Sequence, residues 1–322
     1  MIKRLFLLAC CLIGAMRVAA QEISLTSHIS SADGLSNDFV VSIAVDGQGH
    51  VWVATEAGVN RIAGKTCQPL PSEQLSGLVS ALYWHKPSGS MLIGTERGLT
   101  IYNVTTGTMR ELNTADGLVI SSINDIADAS DGGVWLVYGN GQIQHFDCNT
   151  LLAKDLQLRQ PHGNRCVMDD GHGHLYIGHS QHGMTIVNMA NGQSQNYQSQ
   201  TGNPSSLPGN NVRCIYQTRD GSVWVGTDTG LALFHPATGT FTKIHDAADR
   251  YDDNVYDICQ MADGRLWVAT DIGGIRIVDH GCYSDTQVRL SSLNTRSIVE
   301  DEYGNIRTRC TKRTVKEVKS VE

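Results

Sequence analysis

The sequence predicts an all-β fold, a seven-bladed β-propeller with six good blades plus an incomplete seventh and four antiparallel strands per blade. One motif carries this prediction: Gly, two residues and an anchor residue, followed by a short apolar run, return about every 40 residues. Repeats of this length are typical of propellers and arrays, in which each unit buries its apolar face against the next. The anchors are Trp52, Leu92, Trp135, Tyr176, Trp224, Trp267 and Arg307.

Each repeat reads as four short strands. The first strand ends in a turn at the Gly three residues before the anchor, where Gly adopts the positive φ that other residues resist. The anchor strand is apolar at successive positions, which indicates burial on both faces. A second Gly, six residues after most anchors, starts a third strand, and a more polar fourth strand follows. We assign structural roles to the clearest members of this pattern: Trp52, Trp135, Tyr176, Trp224, Trp267, Gly49, Gly221 and Gly264.

The first 20 residues have the pattern of a secretory signal peptide. Basic Lys3 and Arg4 precede an apolar run, and the small residues Val18-Ala19-Ala20 precede Gln21. We therefore expect export to the periplasm, with residues 21–306 as the propeller sensor domain. Seven cysteines remain after cleavage, without a Cys-x-x-Cys motif. They are interpreted as buried thiols, and disulfides are the alternative that export allows.

The pattern fails near the C-terminus. After Gly304 the anchor is Arg307, and residues 307–322 form a basic segment interpreted as a tail. Either the tail is genuine or the chain is interrupted inside a repeat, and we favour interruption. An arginine at a core anchor would carry an unpaired charge into the sheets, so we expect a frayed last blade. Residues 23–28 resemble a fourth strand and are expected to close the ring against that blade.

The charge of the propeller limits its partners. Residues 21–306 contain 16 basic and 30 acidic residues, a poor match for nucleic acids or anionic membranes. We expect a neutral oligosaccharide or other small ligand, and further propeller or sensor subunits as alternative partners. No nucleic-acid partner, no membrane insertion beyond the signal peptide, no cofactor and no metal is predicted.

The residues also resemble a known family. The run Asp33-Gly34-Leu35-Ser36-Asn37, followed by Trp52 and Thr55 at fixed distances, is similar to the two-component regulator propeller repeat. The resemblance extends over residues 22–306 and implies the periplasmic sensor region of a hybrid histidine kinase, with oligosaccharide ligands. In that family a pair of propellers precedes a membrane helix and a kinase core. Kinase motifs are missing from this sequence, so the resemblance implies a truncated N-terminal propeller that receives a signal without transmitting it.

The candidate ligand site lies where loops converge around the channel of such a propeller. Loops from fourth to first strands and turns from second to third strands share one face. The predicted ligand residues are Asn37, Asp38, Glu56, Glu96, His179, His182, Asn211, Arg213, Asp228, Asp253, Asn254 and Asp271. Four of the acids recur four residues after their anchors, a pattern suited to sugar hydroxyls or Ca²⁺. Alternatively, these acids bond the backbone amides of their own turns.

Two further site types are weighed. His172, His174, His179 and His182 invite a zinc interpretation, but a strand of this length separates His174 from His179 by about 16 Å. Only His179 and His182 could act together, so no zinc site is predicted. No catalytic motif is present, and we expect a sensor that is not an enzyme. The alternatives are an exported lyase-type propeller using central carboxylates with His179 or His182, and a non-functional truncated remnant.

Overall fold

The computed structural model describes residues 23–64, 66–71, 75–156, 163–245, 254–279, 281–284, 295–301, 304–310 and 314–320. The predicted signal peptide and Asp253 lie outside these residues. Apart from two 3₁₀ helices, Ser31–Asp33 and Thr114–Asp116, the regular elements described are strands. Within the described ranges, no helix has the length and apolar character needed to cross a membrane.

Six blades are each built from four consecutive antiparallel strands. Blades one to three are formed by β2 (Val40–Val45), β3 (Val51–Thr55), β4 (Gly58–Ala63) and β5 (Thr66–Pro69); β6 (Val79–His85), β7 (Ser90–Thr95), β8 (Leu99–Asn103) and β9 (Met109–Leu112); and β10 (Ile123–Asp128), β11 (Val134–Tyr138), β12 (Ile143–Asp147) and β13 (Leu152–Asp155). Blades four to six are formed by β14 (Asn164–Asp169), β15 (His174–His179), β16 (Met184–Asn188) and β17 (Ser194–Tyr197); β18 (Val212–Gln217), β19 (Val223–Thr227), β20 (Gly230–His235) and β21 (Thr240–Lys243); and β22 (Val255–Gln260), β23 (Leu266–Thr270), β24 (Ile275–Asp279) and β25 (Cys282–Ser284).

The predicted fold class is wrong at the last repeat. Instead of an incomplete seventh blade, the structure has six blades and a differently built sheet, here called the closing sheet. It contains three consecutive antiparallel strands, β26 (Thr295–Glu300), β27 (Ile306–Cys310) and β28 (Thr314–Ser320), and the N-terminal β1 (Ile23–Ile29) pairs with β28 at its outer edge. The segment interpreted as a basic tail therefore supplies most of β27 and all of β28. The innermost strand β26 lies between β22 and β2, which closes the ring.

Arg307 does not carry an unpaired charge into this sheet. Its side chain is 10% exposed, and its Nε and Nη2 atoms donate to Asp301 Oδ2 over 3.3 and 3.2 Å. In blade one the anchor Trp52 donates from its indole Nε1 to Asp46 Oδ2 over 2.8 Å. Each aspartate stands six residues before its anchor, so arginine and tryptophan use the same acceptor position. The expected frayed strand is wrong because that acceptor is present.

The core lies between neighbouring blades. Trp52 and Trp267 are fully buried, Trp135 and Tyr176 nearly so, and Trp224 is half-buried. The Trp52 ring meets Tyr102 of the next blade at a centroid distance of 5.1 Å, which is an ordinary packing distance for aromatic pairs. The turn glycines before the anchors adopt positive φ, 76° at Gly49 and 92° at Gly264. Packing between the apolar second strands of neighbouring blades thus holds the sheets together around the ring.

The innermost strands share a feature that the sequence pattern does not show. Each one has a β-bulge at the same level, where one residue is skipped in the pairing with the second strand. A bulge redirects the skipped side chain. In all seven sheets the skipped residue lines the central channel: Val41, Ser80, Asn124, Arg165, Arg213, Tyr256 and Arg296.

Candidate functional site

A polar cavity of about 710 Å³ occupies the channel at the level of the bulges. Its wall is completed by the turns at Gly139, Gly163 and Ser180, which follow second strands or precede first strands. The volume lies in the range of ordinary small-ligand pockets. This cavity is the structural counterpart of the central face predicted from the repeats.

Backbone hydrogen bonds join the two sets of loops on that face. The amide of Asp228, after β19, donates to the carbonyl of Asn211, before β18, over 3.1 Å. The amide of Asp271 makes the equivalent bond to the carbonyl of Asn254 in blade six, also over 3.1 Å. The predicted residues of these loops are therefore neighbours in pairs, blade by blade.

The acidic residues of the turns do not converge on the cavity. Glu56 and Glu96 are exposed, Asp228 and Asp271 are half-buried, and none of the four lines the central cavity. The Oδ1 atom of Asp228 is buried and has no hydrogen-bond partner among the described residues. The four carboxylates therefore do not form a shared ring around one ligand or cation.

The side chains of Asn37 and Asp38 form hydrogen bonds within their own loop. The Asn37 side-chain oxygen accepts from the Phe39 amide over 2.7 Å, and Asp38 Oδ1 accepts from the Ser31 amide over 2.6 Å. Neither residue lines the cavity. Such short-range bonds fix loop conformation, as Asn and Asp commonly do in turns.

His179 is part of the core of blade four. Its side chain is fully buried between Asn164 Oδ1 and Thr185 Oγ1, each 2.7 Å from one ring nitrogen. Burial lowers its pKa to about 4, so the ring is neutral at physiological pH. His182 is exposed, with its Nδ1 3.2 Å from the Ser180 carbonyl. The His179 ring fills the position that Thr occupies in blades one, two, five and six, and it does not line the cavity.

The histidines do not form a metal centre either. His172 is exposed, and His174 Nδ1 lies 3.1 Å from Asp170 Oδ2. In the part of the chain that the structure describes, no group of three or more His, Cys, Asp or Glu side chains is placed to hold a metal ion.

One predicted residue lines the cavity, and two others accept hydrogen bonds from arginines of its wall. Arg213 lines the cavity, and its Nη2 donates to the side-chain oxygen of Asn254 over 3.0 Å. One blade earlier, Arg165 Nη1 donates to the side-chain oxygen of Asn211 over 3.3 Å. Each arginine is the bulge residue of its blade, and each asparagine precedes the innermost strand of the next. The pairs therefore repeat one arrangement across blades four to six.

Among the predicted ligand residues only Arg213 lines this wall, and the missed residues include Arg165, Tyr256, Arg296 and Arg309. The Tyr256 ring lies beside two guanidinium groups, with Arg213 Cζ at 4.6 Å and Arg296 Cζ at 3.7 Å from its centroid. These are cation–π distances. A signal was available, because Arg165, Arg213 and Arg296 all stand eleven residues before their anchors.

Two half-buried aspartates also line the cavity, Asp125 and Asp257. Asp125 Oδ2 accepts from the Val167 amide of the next blade over 3.1 Å, and Asp257 Oδ2 accepts from the Ile298 amide of the closing sheet over 2.9 Å. Burial raises the pKa of Asp125 to about 7 and that of Asp257 to about 6. Both carboxyl groups thus bridge neighbouring sheets.

Comparisons with known proteins agree with this architecture. The family model described as two component regulator propeller matches residues 34–57 and 206–229. These two segments are similar to the two-component regulator propeller repeat. Among solved structures, the extracellular domain of a hybrid two-component system protein from B. thetaiotaomicron is 26% identical, with a TM-score of 0.76 over 94% of this chain. The match covers 42% of that structure, so this chain spans less than half of its length.

More distant structures share the fold alone. A virginiamycin B lyase from Staphylococcus aureus is 15% identical, with a TM-score of 0.71 over 93% of this chain and all of the lyase chain. A streptogramin B lyase is 12% identical with a TM-score of 0.72, over 91% of this chain and 96% of the lyase. No curated protein sequence matches the chain.

Proposed function

We propose that the chain is an exported, ligand-sensing propeller of a two-component signalling system, and that it is not an enzyme. The observation that carries this is the 26% identity to the extracellular domain of a hybrid two-component system protein, over nearly the whole chain. Two segments that match the family's repeat model add to it. The periplasm is the compartment we propose.

The ligand class we propose is an oligosaccharide, bound at the central cavity. Support comes from the polar character of the wall, in which Arg165 and Arg213 donate to the side-chain oxygens of Asn211 and Asn254. The signal would pass to kinase parts that the described residues do not include, so reception is the role we assign to this chain.

The test is a ligand screen on the purified chain. We expect some oligosaccharides to raise its melting temperature, because a ligand that binds only the folded state stabilises it. Isothermal titration calorimetry would measure the affinity. Chromatography of the mixture over a day would measure whether the oligosaccharide is consumed.

Matched variants locate the site. Asn254→Ala removes the amide beside Arg213 and should weaken binding, whereas Asn149→Ala, in an exposed turn of blade three, should not. Stabilisation with disappearance of the sugar would favour an exported enzyme instead. Failure of every oligosaccharide to bind would overturn the proposed function.

A further inference from the structure

The central cavity has a charge of the opposite sign to the propeller as a whole. Arg165, Arg213, Arg296 and Arg309 line it, although residues 21–306 are strongly acidic. We propose that this cavity binds an anionic saccharide, one that carries carboxylate or sulfate groups, and that these arginines hold its charged groups. The inference rests on the proposed function and names the ligand class of the same site.

The basic side chains form one continuous arc of the wall. Arg165 belongs to blade four, Arg213 to blade five, and Arg296 and Arg309 to the closing sheet, with Tyr256 of blade six between them. The opposite arc, from blades one to three, is neutral at the bulge positions: Val41, Ser80 and Asn124. A ligand in this cavity therefore meets positive charge on one side only, which would orient it.

Arg309 reaches the wall through a departure from the repeat pattern. It stands two residues after the anchor, where the six blades have small or aliphatic residues: Ala54, Gly94, Val137, Gly178, Gly226 and Ala269. A long side chain at this position extends into the space in front of the closing sheet and lines the cavity there. The C-terminal departure from the pattern thus adds a cation to the site.

The two carboxyl groups of the wall offset only part of the charge of the arc, because four guanidinium groups outnumber them. Asp125 and Asp257 accept backbone N–H groups of neighbouring sheets, and Asp257 also attracts the Arg309 guanidinium. Within the described ranges, none of the four arginines takes part in an ion pair. The contacts that Arg165 and Arg213 do make are to neutral amide oxygens and a ring face.

The arginines also lie close enough to repel one another. Burial, and then the neighbouring Arg296 guanidinium, lowers the pKa of Arg309. The Arg213 Nε is buried and has no hydrogen-bond partner in the described part of the chain. Like charges in a partly enclosed site cost free energy that a bound anion offsets, since the Coulomb attraction strengthens as water is excluded.

The chemistry of the wall selects among anions. Guanidinium groups match the planar geometry of carboxylates and the tetrahedral oxygens of sulfate, with paired hydrogen bonds to each. The acidic exterior repels long polyanions, whereas a short oligosaccharide fits inside a cavity of about 710 Å³. Hydroxyl groups of a neutral sugar would leave the excess positive charge of the wall without a counter-charge.

Calorimetry with three tetrasaccharides tests the proposal. The probes are tetragalacturonate, a sulfated chondroitin tetrasaccharide and neutral cellotetraose, each at low and high salt. We expect at least one acidic probe to bind, more weakly at high salt, and cellotetraose to bind at least about 100-fold more weakly. A hydrogen bond to a charged group is worth enough that Arg213→Gln or Arg296→Gln should each weaken binding about 10-fold or more. Which acidic probe binds distinguishes carboxylate from sulfate.

Arg110→Gln is the matched control, since Arg110 is exposed on β9, at the outer edge of blade two. It should leave the affinity unchanged. Circular dichroism verifies folding of each variant, and Arg165→Gln replaces any variant that fails to fold. Cellotetraose binding as tightly as the acidic probes, or arginine variants binding them like the unmodified chain, would overturn the anionic ligand and leave the sensor proposal standing. Absence of binding by all three probes would overturn the inference as well, and the wider oligosaccharide screen then decides the proposed function.

Discussion

Substitution of Asp301 by alanine tests the pair that holds Arg307 in the closing sheet. Both side chains are nearly inaccessible, 2% exposed for Asp301 and 10% for Arg307. Removing one member of a buried ion pair destabilises proteins by about 3–5 kcal/mol, because the remaining charge loses its main compensation. We expect Asp301→Ala to lower the free energy of unfolding by about 3 kcal/mol.

Arg307→Trp should behave differently. An indole at this anchor can donate to Asp301 as Trp52 donates to Asp46, at 2.8 Å. Asp301 Oδ1 also keeps its bonds from Asn305, the backbone amide at 2.8 Å and the side-chain amide at 3.0 Å. Because the indole N–H and the Asn305 donors would still satisfy the remaining carboxylate, we expect a change within about 1 kcal/mol.

Equilibrium unfolding in urea measures these differences from the transition midpoint and slope. Asp263→Ala is the matched control, since Asp263 pairs with Arg265 over 2.6 Å at an exposed turn of blade six. Exposed pairs contribute about 1 kcal/mol or less. The reasoning is refuted if Asp301→Ala destabilises no more than Asp263→Ala, or if Arg307→Trp destabilises as much as Asp301→Ala.

Two further predictions concern the packing and the titration of the inner strands. A methyl group at Gly226 would overlap the Cys214 sulfur and the Val255 side chain of the next blade, so Gly226→Ala should lower the unfolding free energy by about 1–3 kcal/mol. The double variant with Cys214→Ala should recover part of this loss in urea titrations, and no recovery would contradict the packing argument. Burial raises the pKa of Asp125 from 3.8 to about 7, so the folded state binds this proton more tightly and stability should fall as pH rises from about 4 to about 7. Melting temperatures should decline less over that range in Asp125→Asn, and equal slopes in the two proteins would argue against this assignment.

The repeated strands were predictable because they depend on local chemistry. Gly before each anchor is needed for a positive φ, and a buried second strand must be apolar, so both leave a periodic trace. Arg307 misled the reasoning because a charge at a core anchor looks unfavourable in isolation. Its acceptor was visible in the sequence, since Asp301 and Asp46 stand at the same distance from their anchors. Only the structure shows that an arginine can make the bond of an indole.

The site was less predictable because it depends on side-chain direction. Glu56 and Glu96 recur at one repeat position, yet their turns present them to solvent rather than to the channel. Arg165 and Arg296 enter the channel because each innermost strand has a bulge, which no single-residue preference encodes. The net charge of the propeller did not predict the charge of the cavity either, because it sums an acidic exterior and a basic cavity.

The β1–β28 pairing of the closing sheet is the place where tension on the chain ends would open that sheet. β1 and β28 are antiparallel and pair from Ile23 with Ser320 to Ile29 with Val315, so both strands leave the sheet from the same end. Tension applied through segments attached at these two ends would load one backbone pair at a time, as in a zipper, rather than all pairs together. Opening this outer pairing would release β1 while the six blades keep all four of their strands.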